Sequence, residues 1–187
     1  MATNTANVRV AVTGAISKNA TGTSAPTGTA SSLAAWTELG FVGEDGVTLT
    51  LPGSGDSDPI KAWQNGVTVR TIRTPNEDNP TYSFVLLETN LAVIELYFNA
   101  TTSGATSTEG AVAFSNQTAR GYFSYVVDVI DGAELIRDYI PKGIVTEVGD
   151  QVFANGEPIG YEITIEAEYD STKTYNFKRW STALKTP

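Results

Sequence analysis

Cysteine and histidine are both absent from this sequence of 187 residues. Without cysteine there are no disulfides and no thiolate metal ligands, and without histidine the side chain that titrates near neutral pH is missing. Ser-His-Asp and Cys-His nucleophiles are therefore excluded, as are ordinary zinc sites. Chemistry by paired carboxylates or a perturbed lysine remains open, but it needs matched acid and base groups, and we expect neither enzymatic activity nor a cofactor.

Long apolar runs are also missing. No segment approaches the roughly 20 apolar residues of a membrane-spanning helix, so we expect no membrane insertion. The N-terminal residues Met1–Val12 lack a basic start followed by an apolar run, so we expect no secretion signal and folding in a cytoplasm. Hydrophobic residues make up 41% of the chain, which is enough for one buried core in a single domain.

Acidic residues are missing from both ends of a chain whose net charge is −9. All 21 acids lie within residues 36–170, and the ends carry basic residues alone. Two interpretations stay open: a solvated surface, or basic ends that contact acidic surfaces of neighbouring copies. The candidate basic contacts between copies are Arg9, Lys18, Lys173, Lys178 and Arg179.

Residues 1–32 are predicted to be a flexible N-terminal arm or long loop. Residues 17–32 are small and polar, and they bury too little surface to repay their own ordering entropy. A short strand at Val8–Val12 is predicted to precede them. We expect this arm to order only where another copy covers it, and residues 33–187 to form a single β-domain.

From residue 33 onward, apolar and polar residues alternate between turn signals, which is typical of half-buried strands. Residues 43–46, with an Asp-Gly pair at their end, predict a turn between strands at Leu33–Phe41 and Val47–Leu51. Asn65-Gly66 predicts a tight hairpin between strands at Ile60–Asn65 and Val67–Thr74. Further strands are predicted at Tyr82–Glu88, Arg120–Ile130, Leu135–Ile140, Gly143–Val148, Tyr161–Tyr169 and Thr174–Trp180.

One segment changes its period. Leu91, Ile94 and Phe98 share one face at helical spacing, which predicts a short helix that Thr89 or Asn90 caps. The predicted fold class is therefore mainly β, an antiparallel β-sandwich or partly open barrel with one flanking short α-helix.

The predicted strand from Tyr161 places a row of acidic side chains on one face. Like charges in such a row repel one another, so they face either water or basic groups. Three interpretations are a solvated sheet face, a strip that contacts basic residues of another copy, and the wall of an acidic channel. The candidate acidic residues are Glu162, Glu166, Glu168 and Asp170.

Other polar clusters give weaker signals. Asp56-Ser57-Asp58 and Glu77-Asp78 lack the spacing of a calcium-binding loop and are interpreted as polar turns, so no metal site is predicted. The three tryptophans are predicted to be core or interface anchors: Trp36, Trp63 and Trp180.

Three segments resemble the major tail proteins, or tail tube proteins, of siphoviruses, the long-tailed non-contractile bacteriophages, and especially of phages that infect actinobacteria. Residues 36–50 read WTELGFVGEDGVTLT and residues 84–99 read FVLLETNLAVIELYFN. Residues 160–175, with alternating Glu, resemble the C-terminal part of that family. The additional C-terminal immunoglobulin-like domain of some relatives is expected to be absent, because the sequence stops at Pro187.

The resemblance implies a β-sandwich whose copies form hexameric rings, and rings that stack into a tube. It also implies a tape-measure protein inside the tube, tail terminator and distal tail or baseplate proteins as further partners, and the later passage of double-stranded DNA without specific binding. The expected location is the tail of the virion, after assembly in the cytoplasm of the bacterial host.

The sequence leaves three other classes of protein open. A carbohydrate-binding or adhesin-like sandwich needs exposed aromatic residues on one face. A hydrolase needs a working pair of carboxylates. Another virion component, such as a tail terminator or a decoration protein, forms discrete rings or trimers instead of tubes.

Overall fold

The computed structural model describes residues 8–104, 106 and 108–184. In chain order, the elements of this part are β1 Thr13–Ala20, β2 Thr37–Glu38, β3 Val42–Thr50, β4 Ser57–Lys61, β5 Thr68–Arg73, β6 Thr81–Leu86, α1 Leu91–Phe98, β7 Tyr122–Asp131, β8 Glu134–Val148, β9 Tyr161–Ala167 and β10 Lys178–Ser181, followed by a 3₁₀ turn at Thr182–Leu184.

Eight of these strands form one antiparallel sheet. Seven of them follow the order β2-β1-β7-β8-β9-β6-β3, and β10 also pairs with β8. Strand β7 pairs along one edge of the long strand β8. The other edge of β8 is shared by two strands: β10 pairs with residues 136–139, and β9 pairs with residues 143–148. The sheet curls far enough to bring β3 near β1, although the two strands do not pair.

The concave face of the sheet holds the core. Alternate residues of β1, β3, β6, β7, β8 and β9 point into it, and α1 covers it with Val93, Leu96 and Tyr97. The predicted helix is confirmed, and Asn90 caps it by accepting a hydrogen bond from the backbone N–H of Val93 at 3.0 Å. This architecture confirms the predicted fold class, a mainly β antiparallel sandwich with one flanking helix.

On the convex face, residues 21–36 lie across β7 and β8, and we call them the covering segment. Its central contact is Arg137, which donates bidentate hydrogen bonds to Asp128 at 2.6 and 2.7 Å. The same guanidinium donates to the carbonyl oxygens of Gly28 and Ser31 at 3.1 and 2.8 Å. Nearby, the rings of Trp36 and Tyr139 pack in a T-shaped arrangement with 6.1 Å between their centroids.

The structure of residues 13–32 therefore differs from the predicted flexible arm. Residues 13–20 form β1, which pairs with β7 along its whole length, and residues 21–32 belong to the covering segment. Composition alone misled the prediction, because the carbonyls of this polar segment find their donor in Arg137, more than a hundred residues away. Residues 8–12 are not a strand, and the N-terminal part of the predicted arm, residues 1–7, lies outside the described residues.

The predicted turn at residues 43–46 is also wrong. Val42 pairs with Leu86 and Val47 pairs with Phe84, so residues 43–46 form a bulge inside one continuous strand, β3. Gly46 has a φ of 68°, a conformation that glycine adopts without strain. The Asp-Gly signal thus marks a bulge, because β3 finds its partner in β6 instead of in the preceding residues.

Arg137→Met is expected to lower the free energy of unfolding by about 3–5 kcal/mol, because it leaves Asp128 buried without a counter-charge. Urea denaturation followed by circular dichroism measures this loss. The double variant Asp128→Leu/Arg137→Met is expected to recover part of it, and Arg70→Met on an exposed strand is the control with a change below about 0.5 kcal/mol. Equal effects of the Arg137 and Arg70 variants would contradict the proposed role of the pair.

Candidate assembly surfaces

Strands β4 and β5 form a hairpin that stands apart from the main sheet. Among the described residues the two strands pair only with each other, and every residue of both is exposed. The predicted hairpin is confirmed, but its loop is longer than a two-residue turn: the N–H of Ala62 donates to the carbonyl of Val67, and Gly66 adopts a φ of 67°. An isolated two-stranded hairpin is at most marginally stable in water, so this one needs packing against another surface.

The hairpin exposes apolar side chains that its own chain does not cover. Trp63 at the tip is 96% exposed, and the other exposed apolar residues of the hairpin are Ile60, Val67, Val69 and Ile72. Contiguous exposed apolar surface on a folded protein marks an interaction site. The hairpin is therefore the first candidate assembly surface.

Unpaired strand edges provide a second kind of surface. In the part of the chain that the structure describes, β3 ends the strand order and pairs with β6 alone, while β2 at the other end covers only Ser17 and Lys18 of β1. Unpaired strand edges expose backbone donors and acceptors that pair readily with another chain.

The third surface is the part of the convex face that the covering segment leaves bare. It is rich in hydroxyls and carboxylates, and we call it the polar sheet face. The Oγ atoms of Ser83 and Thr164 lie 3.0 Å apart across adjacent strands, and Asn79 donates to Glu166 at 2.7 Å. Its members are Thr48, Thr50, Thr81, Ser83, Glu162, Thr164 and Glu166.

Only two of the four predicted acidic residues lie on the same face of the sheet. Glu162 and Glu166 lie on the polar sheet face as the alternation of β9 predicts. Glu168 follows the strand and forms an ion pair with Lys142 at 2.5 Å, and this contact lowers the pKa of Glu168. Asp170 lies beyond the strand, where its carboxylate accepts hydrogen bonds from the backbone N–H groups of Thr172 and Lys173.

Several of the predicted basic contacts have partners within their own chain. Arg9 lies 3.4 Å from Glu134, and Lys18 donates to the carbonyl of Ala92 at the helix. Burial lowers the pKa of Lys18. Lys178 lies over the ring of Trp180, at 4.9 Å from its centroid.

The predicted aromatic anchors separate into two environments. Trp36 and Trp180 are half-buried against their own chain, whereas Trp63 is exposed at the tip of the hairpin. As anchors of an interface, they remain predictions.

Two buried charged residues escaped the sequence analysis, although they stand side by side in a predicted strand. Arg137 and Asp138 point to opposite faces of β8, so that each requires its own counter-ion. Arg179 pairs with Asp138 at 2.6 and 2.7 Å, and this hydrogen bonding raises the pKa of Arg179. Burial raises the pKa of Tyr82, whose hydroxyl donates to the same carboxylate. An Arg-Asp dipeptide within an apolar strand was the available signal.

The described residues contain neither a metal-binding cluster nor a membrane-spanning helix. Across residues 8–104, 106 and 108–184, His, Cys, Asp and Glu side chains form no group that could hold a metal ion. In the same part of the chain, no helix is long and apolar enough to cross a membrane.

Fold and surfaces together define a class: a mainly β structural protein whose free strand edges and unpacked hairpin suit it to association with other chains. The comparison with known families gives the identity of that class. Residues 1–182 match the family described as phage tail tube protein, so the chain belongs to the phage tail tube proteins. No curated protein matches the sequence.

Membership in this family confirms the resemblance of the sequence to phage tail tube proteins. The chain is a structural protein of the bacteriophage virion, located in the tail, and it assembles with copies of itself into a tube. The candidate surfaces described above are the parts of the chain from which such contacts are built.

Lys142→Met is expected to lower the free energy of unfolding only slightly at pH 7, since the pair with Glu168 is partly exposed. The pKa of Glu168 is lowered from its usual 4.5, so the pair stabilises the fold above pH 4.5 and the difference disappears as the pH falls below that value. Denaturation at a series of pH values measures it. Lys178→Met is the control, and the same loss of difference there would contradict the assignment.

Proposed function

We propose that this chain forms hexameric rings that stack into the tail tube of a siphovirus, the conduit through which genomic DNA is delivered. In this proposal the protein is not an enzyme, and the tube assembles in the cytoplasm of the host around a tape-measure protein. Tail terminator and distal tail or baseplate proteins bind its two ends.

The observation that carries this proposal is the unpacked hairpin of β4 and β5. Its residues are exposed along both strands, and its tip carries Trp63. A free monomer gains nothing from exposing such a surface, whereas a neighbouring copy that covers it gains apolar burial of about 25 cal/mol for each Å².

Ring formation follows from contacts between different surfaces. The strand order leaves β2 and β3 at opposite ends of the sheet. Contact between unlike edges is heterologous, and such contacts close into a ring if the rotation permits. A second heterologous contact along the axis remains open and extends the ring into a tube.

The two halves of the convex face suggest which side faces the lumen. The covering segment hides β7 and the adjoining half of β8, while the polar sheet face remains bare. A surface with Glu162 and Glu166 and many hydroxyls repels phosphates and gives DNA no basic groove in which to bind. We therefore assign the polar sheet face to the lumen.

Negative-stain electron microscopy of concentrated protein tests the assembly. Tubes of uniform width are expected from the wild-type chain, and a folded protein without tubes is expected when residues 58–72 are replaced by a short Gly-Ser linker. Replacing residues 152–157, an exposed loop, by a similar linker is the control that keeps tubes. Discrete rings or monomers from wild-type protein at every concentration would overturn the proposal.

The assignment of the lumen is tested with a single thiol, because the natural sequence has no cysteine. Thr164→Cys is expected to react with a maleimide on a globular protein carrier in monomers, but at least about tenfold more slowly in tubes. Ser24→Cys, on the covering segment, is the control that stays reactive in both forms. Equal reactivity of Thr164→Cys in tubes and monomers would place this face outside the lumen.

A further inference from the structure

A cleft of about 700 Å³ opens where the curled sheet fails to close. Residues 11–14, at the start of β1, form one wall, and residues 40–47, which include the bulge of β3, form the other. The cleft is therefore bounded by the two strands that approach each other without pairing.

Both walls of the cleft contain residues that the strand pairing of the sheet does not include. β2 pairs only with Ser17 and Lys18, so it leaves the outer edge of Thr13 and Gly14 uncovered. On the opposite wall, the register passes from Val42 directly to Val47. A further chain segment that enters the cleft can therefore hydrogen-bond to the backbone on both sides.

The charge of the cleft has one sign. Its lining includes Glu38, Glu44, Asp45, Glu88 and Asp128 and no basic residue. Two of these have partners already: Asp128 is paired with Arg137, and Glu88 accepts a hydrogen bond from the N–H of Phe41 at 3.0 Å. The three that remain are exposed and form no ion pair within the described residues: Glu38, Glu44 and Asp45.

The hairpin has the complementary charge. Residues 57–73 contain Lys61, Arg70 and Arg73 against the single acid Asp58. All three basic side chains are exposed, and in the part of the chain that the structure describes they form no ion pair. Ile60 lies directly opposite Arg70 in the hairpin, so one face presents an apolar and a basic group together.

Within one chain these two surfaces do not meet. The cleft lies at the start of β3, whereas the hairpin follows the end of that strand, and its complete exposure means that it is not seated in its own cleft. We propose that the acidic cleft of one copy receives the basic hairpin of the next copy, an inference that rests on the proposed self-assembly. Phe41, 75% exposed at the cleft, provides an apolar contact for the hairpin.

Such a contact joins unlike surfaces, so every copy offers one cleft and one hairpin. Each bound copy leaves a free cleft at one end of the assembly and a free hairpin at the other, which is the requirement for continued growth in one direction. Charge pairing across the contact also fixes which surfaces meet, since like charges brought together in an interface repel each other.

Charge reversal tests the contact on the full chain. Glu44→Lys/Asp45→Lys and Arg70→Glu/Arg73→Glu are each expected to raise the protein concentration at which tubes form by at least about tenfold, measured by sedimentation and electron microscopy. The chain with all four substitutions is expected to regain tubes near the wild-type concentration. Circular dichroism verifies that each variant is folded.

Matched controls separate this contact from changes in net charge. Glu109→Lys/Glu157→Lys changes the net charge as much as the cleft variant does, at exposed sites outside the cleft, and is expected to assemble like the wild type. Mixing the cleft variant with the hairpin variant is expected to produce tubes or short oligomers where neither alone does, because reversed cleft and reversed hairpin are complementary.

The outcomes also separate this inference from the function on which it rests. Wild-type tubes together with unimpaired assembly of both reversal variants would overturn the cleft contact and leave the tube function intact. If both reversal variants assemble poorly and the fourfold variant does not recover, the cleft has another occupant. That result would also overturn the contact between cleft and hairpin. Absence of wild-type tubes would instead overturn the proposed function.

Discussion

The ion pair between Asp128 and Arg137 is the interaction on which the asymmetry of this protein depends. The two residues are directly opposite on β7 and β8, and the guanidinium has donors left for the carbonyls of Gly28 and Ser31. One buried cation therefore satisfies a buried carboxylate and orders a polar segment that has little apolar surface of its own. As a result, half of the convex face is covered and the other half is bare.

This asymmetry bears directly on the construction of a tube, which needs an inside, an outside and contacts between copies. The bare half is acidic and hydroxylated, the covered half is closed by the covering segment, and the hairpin of β4 and β5 projects without packing partners. The incomplete closure of the sheet also leaves surfaces for contacts between copies. A closed barrel removes edges and with them the means of pairing, whereas the gap between β1 and β3 leaves two edges and an acidic cleft.

Physical reasons explain which features could be predicted. The helix at Leu91–Phe98 and the alternation of β9 depend on residues close in sequence, so local patterns predicted both elements. The helix nevertheless buries Val93, Leu96 and Tyr97, and Leu91 of its predicted apolar face is exposed. The bulge at residues 43–46 and the strand β1 depend on distant partners, β6 and β7, and local turn chemistry and composition gave the wrong answer there. Arg137 and Asp138 stood visibly within an apolar strand. Asp128, the counter-ion of Arg137, lies on the preceding strand β7 across a tight turn, whereas Arg179, the counter-ion of Asp138, comes from β10, which only the topology brings adjacent.

By itself, the sequence determined the mainly β class, the short helix, the exclusion of histidine- and cysteine-based chemistry, and the likeness to tail proteins, because these follow from composition, period and short motifs. Tertiary structure alone decided that the polar segment at residues 21–36 covers one face, that Glu168 and Asp170 leave the acidic row, and that an acidic cleft and a basic hairpin are separated within the chain. Each of these depends on the strand order and curl of the sheet, which join residues far apart in sequence and leave no local pattern.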